Sequence, residues 1–107
     1  MNTIRSGKES ALELCGTWES IIREEHLSTE AQYRFRKLID RTLPLVDKMF
    51  VKTVKGREMI TQCADITRGI QDDVRYDDDR LYFLLTHLET VYDDFLRKTY
   101  EFRVKAG

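Results

Sequence analysis

The chain has 107 residues, 41% of them hydrophobic and 35% charged, and a formal net charge of −1. That apolar fraction excludes general disorder, and the near-neutral total argues against a domain whose surface serves only nucleic acid. Five glycines and one proline are too few for a turn-rich sheet protein, so the expected class is all-α, a single-domain antiparallel bundle of four helices over residues 1–107 with frayed ends near 1–7 and 103–107.

A first helix is predicted from about Lys8 to His26. Ala11, Cys15, Trp18, Ile21, Ile22 and Glu25 fall on one of its faces with Leu14 beside them, and Gly16 weakens its middle. The break comes at Leu27 and Ser28. Thr29 followed by Gln32 makes a capping box for the second helix, and Ser28 is an equally good cap. The second helix carries Phe35, Leu38, Ile39, Thr42, Val46, Met49, Phe50 and Thr53 on one face, with Pro44 inside it. Because the apolar phase continues across the proline, one helix kinked at Pro44 is expected, closing at Gly56 with Lys52 and Lys55 in its last turn.

A third helix is predicted from about Arg57 to Val74 on Ile60, Cys63, Ile66, Thr67, Ile70 and Val74. Asp77, Asp78 and Asp79 cap the fourth, which carries Leu81, Leu84, Leu85, Leu88, Val91, Tyr92, Phe95 and Phe102. Trp18, Phe35, Leu38, Leu84, Leu88, Val91 and Phe95 should be largely buried, since each sits at the centre of its helix's apolar arc. Short connections make successive helices antiparallel, which describes an up-down bundle. Cys15 and Cys63 fall on apolar faces, where a free thiol serves as a small hydrophobe. No apolar run approaches the roughly 20 residues of a membrane span, and no charged stretch followed by an apolar segment opens the chain. A cytoplasmic setting without a membrane partner is therefore expected.

The small net charge hides segmentation. Residues 34–57 hold eight basic and two acidic groups, residues 72–94 hold two basic and eight acidic, and residues 8–30 hold two basic and six acidic. Within the basic segment Arg34, Lys37, Arg41, Lys48, Lys52 and Lys55 recur at helical spacing, so that one helix would present all six on one side, over about 31 Å at 1.5 Å per residue. Such a stripe needs an acidic counterpart. It can be solvated or paired with the acidic helices, it can meet an acidic protein, or it can follow phosphates, with Tyr33 as the exposed ring available for stacking.

Motifs with sharper chemistry are weak or missing. Asp72, Asp73, Asp77, Asp78 and Asp79 lack the alternating ligands, central glycine and final glutamate of an EF-hand, and they read as a solvated helix cap. A di-iron bundle needs Glu-x-x-His, but Arg23 stands three residues before His26 and Leu84 three before His87. His26 reads as a cation at a helix C-terminus. No serine or cysteine is matched to a histidine and an acid, and there is no phosphate-binding glycine loop or Cys-x-x-Cys. Arg80 and His87, separated by six residues, resemble the active-site motif of HEPN-type ribonucleases, which are also small helical bundles. That resemblance implies RNA cleavage with the histidine as general acid or base, but Leu81 follows the arginine where the family usually carries a polar residue.

The expectation is a small non-enzymatic adaptor, inhibitor or regulator without cofactor or metal. It would bind an acidic protein partner through Arg34, Lys37, Arg41, Lys48, Lys52 and Lys55. A bundle contacting RNA or DNA with the same stripe, as a subunit of a larger complex, is the alternative, and self-association stays open.

Overall fold

The computed structural model describes residues 7–24, 26–46, 53–73 and 78–106, the side chains of 73 and 98–106 excepted. These residues build an all-α bundle of four helices: α1 Gly7–Glu24, α2 Thr29–Val46, α3 Val54–Asp73 and α4 Asp78–Ala106.

Local capping chemistry sets the boundaries. Ser28, rather than Thr29, caps α2: its Oγ accepts the Ala31 N–H at 3.1 Å and its carbonyl accepts the Gln32 N–H at 3.0 Å. The helix then runs unbroken through Leu43 and Pro44 to Val46. Pro44 removes the hydrogen bond to the Asp40 carbonyl, but both residues are exposed and water can serve that oxygen.

The second helix does not extend to Gly56, as the apolar phase suggests. Thr53 caps a new helix instead, with its Oγ1 accepting the Gly56 N–H at 2.9 Å and its carbonyl accepting the Arg57 N–H at 3.1 Å. Lys55 and Gly56 consequently open α3 rather than close α2. His26 stands beyond the end of α1. Met49, Phe50, Val74, the Asp77 cap and the Phe102 side chain lie outside the described residues.

The polar and ionic links give each helix its direction. Glu19 meets Arg36 and Cys15 meets the Thr42 hydroxyl, which makes α1 and α2 an antiparallel hairpin, and Gly69 meets Leu84 within the α3–α4 hairpin. The hairpins stack side by side, so that α1 lies on α3 and α2 on α4, while the diagonals α1/α4 and α2/α3 make no close backbone approach among the described residues. Successive helices α2 and α3 are therefore not neighbours. Ser28 with Tyr82, Arg34 with Glu89 and Arg41 with Asp93 advance together along α2 and α4, which makes that pair parallel.

One apolar core fills the space between the hairpins, drawing Trp18 from α1, Phe35 and Leu38 from α2, Ile70 from α3, and Leu85 and Leu88 from α4, all of them fully or nearly fully buried. Each such side chain contributes about 1.5 to 3 kcal/mol through removal from water. Val91 and Phe95 are only partly buried. They sit at the edge of the α4 arc, whose centre is Leu81, Leu84, Leu85, Leu88 and Tyr92.

Two buried threonines join the hairpins by the same device. Thr67 donates to the Cys63 carbonyl at 2.7 Å and accepts Trp18 Nε1–H at 2.9 Å. Thr42 donates to the Leu38 carbonyl at 2.8 Å, and since its one proton is used there, the Tyr92 hydroxyl is the donor in their mutual contact. Each aromatic thus buries its apolar body with its polar group satisfied, one bond linking α1 to α3 and the other linking α4 to α2. No buried side-chain nitrogen or oxygen among the described residues lacks a partner.

Cys15 and Cys63 are free, buried thiols. Burial is the main cause that pushes Cys15 up to about 11 from 9.0, with the Thr42 hydroxyl acting in the opposite sense, and burial pushes Cys63 up to about 12. Both thiols ionise more readily in the unfolded chain, so their contribution is complete below about pH 9 and declines as pH rises towards the folded values. Urea unfolding should accordingly show stability falling above about pH 9, and Cys63→Ala should flatten that fall even though it lowers stability overall. A wild-type curve unchanged up to about pH 11 would contradict this.

Candidate docking surface on the second helix

The six basic residues do not form one stripe. Arg34, Lys37 and Arg41 lie on α2, Lys55 is exposed in the first turn of α3, and Lys48 and Lys52 lie outside the described residues. The three on α2 differ in what surrounds them.

Arg34 belongs to the fold. Its Nε donates to Glu89 Oε2 at 2.9 Å and its Nη2 to Glu89 Oε1 at 2.6 Å, a two-pronged contact, and Nη2 also reaches Thr86 Oγ1 at 3.1 Å. The guanidinium carbon lies 5.8 Å from the centroid of the Tyr82 ring, and the side chain is 17% exposed. The Glu89 hydrogen bonds hold its pKa above the ordinary arginine value. Tyr82 is itself tied to the α2 cap through Ser28.

Arg41 is committed more loosely. Its Nη1 donates to Asp93 Oδ1 at 2.9 Å, but the two side chains are 43% and 66% exposed, where an ion pair contributes about 0 to 1 kcal/mol. Between these pairs stands Lys37, exposed, its Nζ 5.4 Å from the centroid of the Tyr33 ring. Tyr33 is 60% exposed. A cleft of about 120 Å³ opens beside Lys37, walled by Arg34, Arg41, Glu89 and Asp93 over Leu38. Arg36, which sequence reasoning left outside the stripe, faces the other way and donates to Glu19 at 2.8 Å.

Arg80 and His87 share the exposed outer face of α4, two turns apart, with the Arg80 guanidinium 5.8 Å from the centroid of the exposed Phe83 ring. Among the described residues no group of three or more His, Cys, Asp or Glu side chains could hold a metal ion, and no helix is long and apolar enough to cross a membrane. Of the aspartate cluster, Asp73 and Asp77 lie outside the described side chains, while Asp78 and Asp79 open α4 at its positive end. Comparison with protein-family models, with curated proteins and with solved structures finds no match.

Proposed function

We propose that this protein is a small non-enzymatic adaptor or regulator that works by protein contact, and that its partner docks an acidic segment on the outer edge of α2 around Lys37 and Tyr33. The observation that carries the reading is the exposed lysine–tyrosine pair. A flat aromatic ring held at the surface under a cation is the type of residue on which binding energy concentrates, and a carboxylate reaching Lys37 can also take the exposed side of Arg41 in exchange for Asp93. Electrostatic attraction there mainly raises association rate and selectivity.

A nucleic-acid reading draws on the same ring, which is open for base stacking beside a lysine. Glu89 and Asp93 line the same cleft and repel carboxylates as well as phosphates, so what favours a protein partner is that Tyr33 is the one exposed ring among the described residues of α2, whereas a nucleic-acid strand stacks successive bases on several. A cytoplasmic setting suits the proposal, because Cys15 and Cys63 are free.

The experiment is a titration of isotope-labelled protein, followed by amide chemical shifts, with a glutamate- and aspartate-rich peptide and with a single-stranded oligonucleotide, at about 50 and 200 mM salt. The peptide is expected to shift Tyr33, Lys37 and Arg41 at the lower salt, and the oligonucleotide to leave them in place. Binding of the oligonucleotide alone, with a steep loss at the higher salt, would replace the proposal with the nucleic-acid reading.

A further inference from the structure

Cys15 and Cys63, the two cysteines of the chain, are far apart in sequence, yet the fold brings them to one level of the core. Because α2 and α4 run parallel and each hairpin is antiparallel, α1 and α3 run parallel too. The 2.9 Å bond from Trp18 to Thr67 fixes their register. Cys15 is three residues before Trp18 and Cys63 four before Thr67, so at 1.5 Å per residue their levels differ by only about 1.5 Å. Both face inward. The outer groove between α1 and α3 is lined by their chain neighbours Leu14 and Ala64, while the cysteines themselves are 5% and 0% exposed.

The other two helices complete this layer. Cys15 meets the Thr42 hydroxyl from α2, and Thr42 accepts the hydroxyl of Tyr92 from α4. Burial above all holds the Tyr92 phenol protonated, and Cys63 and Cys15 add to it, which sets both thiols near that one hydroxyl. One residue from each helix thus converges on the middle of a dry core. As a small hydrophobe either cysteine could give way to another apolar residue; what a pair at one level adds is chemistry between the two.

We propose that Cys15 and Cys63 form an oxidation site, where hydrogen peroxide joins them in a disulfide that ties α1 to α3 and so locks the two hairpins together. The oxidant is small and neutral, as entry requires: the thiols lie one layer of side chains below the α1–α3 groove of about 390 Å³. One sulfur, having lost its proton, attacks a peroxide oxygen. The O–O bond breaks, hydroxide leaves and takes up that proton as water, and the sulfur becomes a sulfenic acid. The second sulfur then attacks the first and displaces its hydroxyl, which leaves as water with the second thiol's proton. Two thiols are oxidised by two electrons in all, and one peroxide is reduced to two waters. Neutral groups give a neutral bond, so no charge is stranded in the core. Burial keeps both thiols protonated at neutral pH, so the first step is slow and the lock answers sustained oxidant rather than a brief pulse.

Overnight treatment of the folded protein with about 1 mM hydrogen peroxide tests this, followed by thiol titration in urea, peptide mapping and urea unfolding. Both thiols are expected to disappear together into one bond between Cys15 and Cys63 of the same chain. The urea midpoint should rise, because the bond restricts the unfolded chain, and should return with dithiothreitol, which does not reduce methionine sulfoxide. Cys15→Ser, whose hydroxyl can still meet Thr42, is expected to show no such reversible rise. Should Cys15→Ser fail to fold, Cys63→Ala is the same control. Thiols that stay free through the treatment overturn the proposal, and so do sulfinic acids or a bond between chains in place of the internal one. A bond that forms but lowers the midpoint also overturns it, since the two sulfurs would then have been drawn out of their places.

Discussion

Trp18→Ala should destabilise the protein by about 3 to 5 kcal/mol, the largest effect expected of any single substitution here. Trp18 is fully buried, joins the core cluster and supplies the indole N–H that ties α1 to Thr67 on α3. Truncation removes the apolar contacts, leaves a cavity between the hairpins and takes away the donor that Thr67 accepts. Against a total stability of about 5 to 15 kcal/mol for a domain of this size, that loss leaves a folded state that is marginal at best. Two smaller changes separate the causes. Trp18→Phe and Thr67→Val each break the hydrogen bond with most of the volume kept, and each should cost about 1 to 3 kcal/mol, Thr67→Val because it strands a buried N–H. Combined, they should cost less than the sum, since both remove the same bond. A loss below about 1 kcal/mol for Trp18→Ala in urea unfolding would mean that α1 and α3 are not packed through this residue.

Leu88→Ala is expected to cost about 2 to 5 kcal/mol. Leu88 is fully buried at the centre of the α4 arc, within one turn of Leu84, Leu85 and Tyr92, so neighbouring side chains have little room to collapse into the space. Leu88→Met keeps the volume and should cost less than about 1.5 kcal/mol. The contrast is the informative quantity. Equal small losses from both substitutions would show that this face of α4 is exposed.

The apolar arcs were legible because helical periodicity is local. Buried Ala11, Cys15, Trp18, Phe35, Leu38, Cys63, Thr67, Leu84 and Leu88 all stand where spacing puts them. Thr42 and Thr67 could be placed on apolar faces, but the partners that let their hydroxyls stay there, Tyr92 and Trp18, lie 50 and 49 residues away along the chain. Which helices lie side by side is a tertiary choice, and no spacing rule shows it.

The boundary between the second and third helices was misread for a definite reason: Val46, Met49, Phe50 and Thr53 continue the apolar phase, which masks the capping signal at Thr53. The stripe suffered in the same way. Spacing made Arg34, Lys37 and Arg41 equivalent, whereas Tyr82, Thr86, Glu89 and Asp93 on α4 divide them into a structural arginine, a loosely held one and an exposed lysine. One hint was available, since Tyr82, Thr86, Glu89 and Asp93 share a helical face with acids at one end of it. Its value depends on knowing that α4 runs parallel to α2.

This division of roles is the central claim, and charge reversal at two positions one turn apart tests it most directly. Arg34→Glu sets a second carboxylate against Glu89 and should cost about 1 to 3 kcal/mol of folding stability, as the loss of a partly buried charged hydrogen-bond pair implies. Lys37 is exposed, against the Tyr33 ring at the rim of the cleft, so Lys37→Glu should leave the unfolding midpoint where it is. The decisive measurement is the affinity of Lys37→Glu for the acidic peptide at low salt, compared with wild type. The account predicts a loss of at least about tenfold in the folded variant, and wild-type affinity would contradict it.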